Sequence, residues 1–459
     1  MSIAHTDPAT GVVVRVFDPH DDAAIEHALA QCASAAARWR QSTATERSAL
    51  LIRIADRLDA ERDALAALAT REMGKTLQSA RDEVAKCSAC CRHFATHAAA
   101  RLAPQLLTID GATATLRHEP IGVVLAVMPW NFPYWQFFRA AAPAIAAGNA
   151  MLLKHASNVP QCALAIERIV REAGALAGAP EGMVRTLLVG AARVAALIAD
   201  ARIAAVTLTG SEAAGRDVAA HAGRAIKKTV LELGGSDPFI VLASADPIDA
   251  ARAAVRGRMI NTGQSCIASK RFIIDERVAD AFEAALVAQV GALRVGDPMD
   301  AETDIGPLAT AQIRDELADQ VRRSVSAGAR VAVGGAALER PGFYYAPTVL
   351  LDVPRTAAAA LEETFGPVAP VFRARDTADA LAFANDTPFG LGASVWTRDA
   401  VEAEHAVASL ECGMVFVNAT VASDPRFPFG GVKASGYGRE VGDAGLLEFV
   451  NLKTVRGSL

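Results

Sequence analysis

Apolar side chains recur at helical spacing through most of the first hundred residues. Residues 22–37 are rich in alanine, and residues 43–68 place apolar side chains on one face of a predicted helix. After a turn at Gly74-Lys75 and a further helical segment, residues 106–119 alternate apolar and polar positions around Asp110-Gly111. Such alternation about a glycine-containing turn is typical of a β-hairpin. We therefore predict an N-terminal helical region that ends in a hairpin.

Beyond Ile121 short apolar runs alternate with alanine-rich helical stretches. This alternation requires right-handed crossovers and a parallel sheet covered on both faces, so a dinucleotide-binding domain is the leading candidate. The predicted strands are residues 122–127, 150–153, 185–189, 203–208 and 230–233, and the helices between them include residues 160–175 and 191–199. A second α/β unit is predicted from Asp237 onward, with strands at residues 238–242, 271–274, 331–333 and 415–418.

Composition narrows the class of protein. At roughly 150 residues per domain, 459 residues indicate two large domains or about three smaller ones. Apolar residues make up 52% and charged residues 21%, enough for a sizeable core, and a net charge of −5 excludes a generally basic nucleic-acid binder. No apolar run reaches membrane-spanning length, and the N-terminus shows no secretory signal pattern. We expect a soluble, cytoplasmic protein.

Seven cysteines in such a chain indicate free thiols in a reducing compartment. Cys87, Cys90 and Cys91 cluster with His93 and His97, which raises the question of a zinc site. No second paired set of ligands is evident, and free cysteine is among the most buried residue types. We therefore interpret residues 83–100 as a helix that buries small side chains, and we expect no metal.

Two acidic or nucleophilic positions stand out in glycine-containing loops. Cys266, in Asn-Thr-Gly-Gln-Ser-Cys, is either a nucleophile whose pKa the loop lowers or a structural thiol. Glu232, in Leu-Glu-Leu-Gly-Gly, is either a strand-end carboxylate facing solvent or a general base with a raised pKa in an apolar wall.

Two further motifs offer hydrogen-bond donors. Asn131, in Pro-Trp-Asn-Phe-Pro, is either a tight-turn residue or a rigidly placed donor to a developing oxyanion. Gly210 and Ser211 lie between a predicted strand and a helix, where backbone N–H groups are ready for a phosphate. The motif is not the GxGxxG fingerprint and is weak evidence by itself.

The order of these motifs along the chain resembles the aldehyde dehydrogenase superfamily. Trp-Asn-Phe-Pro, Lys154, Thr-Gly-Ser, Glu-Leu-Gly-Gly, Gly-Gln-Ser-Cys, Glu-Glu-Thr-Phe-Gly-Pro-Val and Pro-Phe-Gly-Gly-Val-Lys-x-Ser-Gly-Tyr-Gly-Arg-Glu follow one another, and the resemblance covers residues 8–455. It implies an α/β aldehyde dehydrogenase-like fold: a Rossmann-type NAD(P)-binding domain over residues 1–233, a catalytic domain over 234–427, and a return to the cofactor domain over 428–459. The hairpin at 103–120 and the C-terminal strand would form a small β oligomerisation element of a homodimer or homotetramer.

The resemblance implies a role for each catalytic residue. Cys266 would attack the aldehyde carbon, Asn131 and the Cys266 backbone N–H would hold the resulting oxyanion, and Glu232 would activate water to hydrolyse the thioester. Because Glu232 is present, hydrolysis rather than transfer to coenzyme A is expected. The presence of these residues argues against a non-catalytic member of the superfamily. It also leaves a cysteine hydrolase without redox chemistry as a weaker alternative, because such an enzyme needs a histidine base and no motif here supplies one.

The same resemblance implies a nicotinamide cofactor. Lys154 would bind the adenosine ribose, Gly210 and Ser211 the pyrophosphate, and Glu363 and Phe365 the nicotinamide ribose, while Trp130 would line the cleft. Many NAD-preferring members carry Glu where this chain has Ser157, and a carboxylate there would repel a 2′-phosphate. We therefore expect NADP, with NAD as a second cofactor, unless another residue sets the preference.

Within the superfamily the sequence resembles the bacterial succinate-semialdehyde dehydrogenase branch most. The resemblance places Arg139 and Ser423 as ligands for the substrate's carboxylate, although a surface or helix-capping role for Arg139 is the alternative. A second pocket arginine of that branch is Ile260 here, and Arg426 either compensates for it or lies on the surface. Glutarate semialdehyde and small aliphatic aldehydes are the alternative substrates.

Overall fold

A short β-hairpin and four helices begin the chain in the computed structural model, which describes residues 3–457. The hairpin strands are β1 (Ile3–Thr6) and β2 (Val13–Phe17), and the helices are α1 (Asp22–Trp39), α2 (Ala44–Ala60), α3 (Arg62–Met73) and α4 (Leu77–Leu102). The single helix predicted over 43–68 was wrong, because Glu61 leaves helical geometry (φ −105°, ψ 11°) and separates α2 from α3. The segments predicted over 1–233 and 428–459 include residues 1, 2, 458 and 459, which lie outside the described residues.

The predicted hairpin around Asp110-Gly111 is confirmed. Strands β3 (Gln105–Ile109) and β4 (Ala112–Pro120) pair antiparallel, and both turn residues have positive φ, 48° for Asp110 and 76° for Gly111. That geometry matches the right-handed twist of a two-residue hairpin.

A six-stranded sheet follows, and it confirms the predicted parallel arrangement. The elements are β5 (Val123–Met128), α5 (Trp135–Ala146), β6 (Ala150–His155), α6 (Pro160–Ala177), β7 (Val184–Leu187), α7 (Val194–Ala199), β8 (Ile203–Thr209), α8 (Glu212–Arg224) and β9 (Lys228–Glu232). These five strands are parallel in the order β9-β8-β5-β6-β7, with a short antiparallel strand added beside β9. The chain order reverses between β5 and β8, the crevice where such sheets bind ligands.

A seven-stranded sheet carries the second α/β unit. Its elements are β10 (Pro238–Val241), α9 (Pro247–Met259), β11 (Arg271–Asp275), α10 (Glu276–Gly291), α11 (Ala311–Ser326), β12 (Arg330–Val333), β13 (Thr348–Leu351), α12 (Ala358–Leu361), β14 (Val368–Ala374), α13 (Thr377–Asn385), β15 (Gly392–Trp396), α14 (Ala400–Ser409) and β16 (Met414–Val417). The strand order is β12-β13-β14-β11-β10-β15-β16, parallel except for β12. The domain boundary at 233/234 stays a prediction.

The C-terminal segment returns to the first two sheets. Strand β17 (Gly436–Tyr437) pairs with β9, helix α15 (Gly442–Glu448) follows, and β18 (Val450–Val455) pairs antiparallel with β4. Leu106, Ile109 and Leu452 of this three-stranded sheet are 71%, 66% and 56% exposed, as an oligomerisation element would require. The oligomeric state stays a prediction.

The cysteine cluster lies inside the N-terminal helical core. Cys87, Cys90 and Cys91 are fully buried on α4, and burial raises the pKa of the Cys91 thiol to about 12. The interpretation of this stretch as a helix that buries small residues is confirmed. Among residues 3–457, no helix is both long and apolar enough to cross a membrane.

Candidate active site

The loop that carries Cys266 has an unusual backbone. It follows α9, and Asn261, Thr262 and Gly263 all have positive φ, at 54°, 57° and 74°. Non-glycine residues adopt this region at a cost of order 1–3 kcal/mol each unless their surroundings enforce it. Two buried cations supply that enforcement through main-chain carbonyls.

Arg258 and Lys270 hold the loop from inside the protein. Arg258 donates to the carbonyl oxygens of Gly263 (3.2 Å), Ser269 (3.0 Å) and Thr364 (2.9 Å), and also to that of Gly366. Lys270 Nζ donates to the carbonyls of Ser265 (2.8 Å) and Cys266 (2.7 Å). No motif marked either residue, although both lie within eight positions of Cys266.

The Cys266 side chain stands where two cavities meet. One, of about 290 Å³, lies at the carboxyl ends of β5 and β8, and the other, of about 690 Å³, extends toward α4 and α9. Burial raises the pKa of the Cys266 thiol to about 12, against the lowering influence of Arg139 and Lys270. Burial therefore favours the protonated thiol, and a cation or hydrogen-bond donor beside the sulfur would favour the reactive thiolate.

Asn131 joins the turn after β5 to the nucleophile loop. Its Nδ2 donates to the carbonyl of Gln264 at 3.2 Å, and Asn261 Nδ2 donates back to the Asn131 carbonyl at 2.8 Å. An amide nitrogen carries two hydrogens, so one remains for a ligand in the first cavity, which Asn131 lines. The turn is therefore both rigid and equipped with a donor next to Cys266.

Glu232 ends β9 in a buried position. The residue is 2% exposed, and neither carboxyl oxygen has a hydrogen-bond partner among residues 3–457. Gly430 makes room for it, since a Cβ there would lie 2.6 Å from Glu232 Oε1. Burial, reinforced by the nearby Glu440 carboxylate, raises the pKa of Glu232 well above its usual range, while Arg139 acts in the opposite direction.

Glu232 belongs to a buried cluster that sequence reasoning missed in part. Arg139 forms an ion pair with Glu440 and donates to Thr209 Oγ1 at 3.2 Å, and Thr207 Oγ1 donates to Glu440 at 3.2 Å. Phe429 covers the Arg139 guanidinium at 4.5 Å from the ring centroid. Glu440 closes the Gly-Tyr-Gly-Arg-Glu motif, and that carboxylate was the signal available in the sequence.

The double glycine after Glu232 allows two other groups to approach. A Cβ on Gly234 would lie 2.6 Å from Glu363 Oε2, and one on Gly235 would lie 2.8 Å from the Cys266 carbonyl oxygen. Glu363 accepts from Gly235 N–H at 3.2 Å and pairs with Lys270 at 3.1 Å. The carboxylate thus lies in the first cavity beside the nucleophile loop.

Aromatic rings and a helix terminus complete the first cavity. Trp130 and Phe365 meet edge to face at 5.7 Å between centroids. Gly210 and Ser211 line the cavity, and Ser211 Oγ caps α8 by accepting from Ala214 N–H at 3.4 Å. The cap uses the hydroxyl only as an acceptor, so the Ser211 O–H and the backbone N–H groups of α8 are the phosphate donors that this turn offers.

Lys154 and Ser157 lie beyond the first cavity, at the carboxyl end of β6. Lys154 is 8% exposed, and no carboxylate lies within 4 Å of its ammonium among the described residues. Burial lowers its pKa. Ser157 follows in the next turn, where its carbonyl accepts from Ala4 N–H at 3.1 Å. A buried cation without a counter-ion is ready for an anionic group of a ligand.

The second cavity brings together some of the predicted substrate ligands and not others. Arg139 lines it, but its guanidinium is 1% exposed and bound to Glu440. Ser423 also lines it and accepts a hydrogen bond from Lys86 Nζ at 2.6 Å. Arg426 is not part of the cavity: its side chain is exposed and forms an ion pair with Asp424 at 2.6 Å, so the surface alternative describes it. Ile260 lines the cavity without a charge.

Comparison with known proteins agrees with this geometry. The model of the aldehyde dehydrogenase family matches residues 1–455. A protein of Synechocystis sp. named probable succinate-semialdehyde dehydrogenase [NADP(+)] is 50% identical over 455 residues, 99% of each chain. A succinate-semialdehyde dehydrogenase [NADP(+)] 1 of Mycobacterium tuberculosis is 50% identical over 458 residues, again 99% of each chain. The crystal structure of succinic semialdehyde dehydrogenase from Streptococcus pyogenes, in complex with NADP+ as the cofactor, superimposes with a TM-score of 0.95 at 36% identity, covering 99% of this chain and 100% of that one.

Proposed function

Because the chain belongs to the aldehyde dehydrogenase family, we propose that it oxidises succinate semialdehyde to succinate with NADP+. The position of Cys266 gives the main support for this function. The residue lies between a first cavity that contains a helix N-terminus and a second cavity that contains cationic side chains. The names of the 50% identical relatives support the same substrate and cofactor.

The residues present fit a nicotinamide dinucleotide phosphate. The N-terminus of α8 suits the pyrophosphate, Glu363 suits a ribose hydroxyl, and the unpaired Lys154 suits the adenosine ribose and its 2′-phosphate. Ser157 adds no negative charge beside Lys154, so nothing at this position repels the 2′-phosphate. When bound, NADP+ supplies the hydride acceptor.

The first half of the proposed reaction forms a covalent intermediate. The Cys266 thiol gives up its proton to solvent water, the thiolate attacks the aldehyde carbon, and the electron pair of the C=O bond moves onto oxygen, which gives a thiohemiacetal oxyanion. Asn131 Nδ2 and the Cys266 backbone N–H would hold that charge, and one such donor typically contributes roughly 10²–10³ in rate. Loss of hydride from the same carbon leaves a thioester on Sγ.

The second half releases the acid. Glu232 takes a proton from water, the hydroxide attacks the thioester carbon, and the Cys266 thiolate leaves as succinate forms. Glu232 must be ionised for this step, and Arg139, followed by Arg439, is the cation that most favours the ionised form. Because Glu232 lines neither cavity in this geometry, its side chain has to rotate toward the thioester to act.

Initial rates test the proposal. Succinate semialdehyde and butanal have the same carbon number and differ chiefly by the carboxylate, so each is assayed with NADP and with NAD. We expect a preference of roughly 10²-fold for the semialdehyde, about 2.7 kcal/mol of transition-state discrimination, and faster turnover with NADP. Comparable rates for the two aldehydes would contradict the assigned substrate. Glutarate semialdehyde, run beside them, reports whether the cavity selects chain length.

A further inference from the structure

A cation that no motif marks lies in the wall of the second cavity. Lys86 is on α4, and its Nζ lies 4.4 Å from the centre of the Trp135 ring and 2.6 Å from Ser423 Oγ. Lys86, Trp135, Ser423 and Cys266 all line the same cavity. The ammonium is thus held by a ring face and a hydroxyl in the space that leads to the nucleophile.

Within the part of the chain that the structure describes, Lys86 has no carboxylate partner within 4 Å, although acidic residues are near. Asp424, next to Ser423, is bound by Arg426, and Glu83 is bound by Lys75. Asp82, which also lines the cavity, accepts a hydrogen bond from Gln78 at 2.9 Å.

The other central cation of the cavity is already engaged. Arg139 is paired with Glu440 and covered by Phe429, so its charge is balanced inside the protein. Lys86 is not balanced in this way, and burial, with the nearby Arg139 charge, lowers its pKa to about 8. Lys86 is half-buried, and a partly desolvated, unpaired ammonium gains more from an incoming carboxylate than a fully solvated or paired one does.

We propose that Lys86 Nζ and Ser423 Oγ together bind the distal carboxylate of the semialdehyde, which makes Lys86 a specificity-determining residue. This inference rests on the proposed function. An ammonium has three hydrogens, and one is used on Ser423, so two remain for a carboxylate. Since Ser423 Oγ accepts from Lys86, its own hydrogen is free to be donated to the same ligand. The pair supplies the cationic contact that Ile260 cannot provide.

Substitution of Lys86 tests the assignment. In Lys86→Met the charge is lost and the apolar stem is kept, so kcat/KM for succinate semialdehyde should fall about 10²-fold, mainly through KM, while butanal turnover stays within about twofold. Lys86→Arg should restore most of the loss. Arg256→Met, which removes an exposed cation lining the same cavity, is the matched control and should change the preference by less than about threefold.

A second readout separates this inference from the proposed function. Succinate should inhibit butanal oxidation in the wild-type enzyme and about tenfold more weakly in Lys86→Met, whatever the best aldehyde substrate is. If the wild type shows no preference for succinate semialdehyde, the proposed function fails. The comparison of succinate inhibition between the wild type and Lys86→Met still shows whether Lys86 binds a carboxylate. If Lys86→Met keeps both the aldehyde preference and the succinate inhibition, or if Arg256→Met loses them instead, Lys86 is not the carboxylate ligand. Normal butanal turnover by Lys86→Met shows that the variant is folded.

Discussion

Replacement of Glu232 by Gln removes one proton acceptor and changes little else. The carboxyl group has no hydrogen-bond partner among the described residues, so no bond is lost on substitution. The negative charge it carries when ionised is attracted by Arg139 and repelled by Glu440, and the Arg139–Glu440 ion pair stays complete without it. We therefore expect the free energy of unfolding of Glu232→Gln to stay within about 1 kcal/mol of wild type.

The kinetic effect should fall on one half-reaction. Formation of the thioester uses Cys266 and Asn131, so a first burst of reduced cofactor, close to one equivalent per active site, should survive. Thioester hydrolysis needs the base, and removal of a positioned base costs roughly 10²–10⁴ in rate. Rapid mixing with succinate semialdehyde and NADP+, followed at the absorbance of the reduced cofactor, gives both phases in one trace.

The pH dependence of the slow phase supplies an independent check. Because burial raises the pKa of Glu232 above its usual range, the ionised base accumulates only as pH rises, and the wild-type hydrolysis rate should increase through that raised pKa. Glu232→Gln should lack this limb. A variant whose burst and steady-state rate decline together would place Glu232 in thiol activation instead, and an unchanged steady state would refute its role as base.

Three further predictions concern the cofactor, the oxyanion and the backbone. Ser157→Glu should weaken NADP binding at least about tenfold and leave NAD binding nearly unchanged, measured as KM for each; equal losses would mean that selectivity lies elsewhere. Asn131→Ala should lower kcat by roughly 10²–10³ with the thermal midpoint checked in parallel, and a loss under about tenfold would remove it from the oxyanion site. Gly263→Ala should lose about 2–4 kcal/mol of unfolding free energy and most activity, because φ is +74° and a Cβ there would overlap the Gly366 carbonyl and lie 2.9 Å from Arg258 Nη2. Gly178→Ala is its control, with φ +72° and open space around the Cβ, and should cost only about 1 kcal/mol; equal costs would show that the nucleophile loop is not sterically constrained.

The predictable parts of the site are those set by short stretches of chain. Cys266, Glu232 and Asn131 each lie at the end of a strand or in a loop with its own glycine or proline pattern, so local sequence marks them. The strands and the Asp110-Gly111 hairpin were predictable for the same reason. Their specific roles in this chain stay predictions until they are tested.

Contacts between distant segments were not predictable. Arg139 was expected in the substrate cavity and lies there, but it forms an ion pair with Glu440, which is distant in the sequence. Arg426 was a candidate on proximity to Ser423 alone, and the neighbouring Asp424 binds it at the surface. Lys86 lies on a helix that the apolar pattern already predicts, so the sequence gives no separate signal for this residue. Its role as a candidate ligand follows from its contacts with Trp135 and Ser423 in the folded protein.

The way the nucleophile loop is held bears on how this enzyme can acquire new substrates. On the nucleophile loop, Arg258 and Lys270 bind main-chain oxygens, so these contacts do not depend on the side chains that the loop carries. Ile260, which lines the second cavity and is 40% exposed, can therefore change size or charge without removing a contact that holds the loop. Mutational drift at this position would alter which aldehydes fit while the chemistry at Cys266 is preserved.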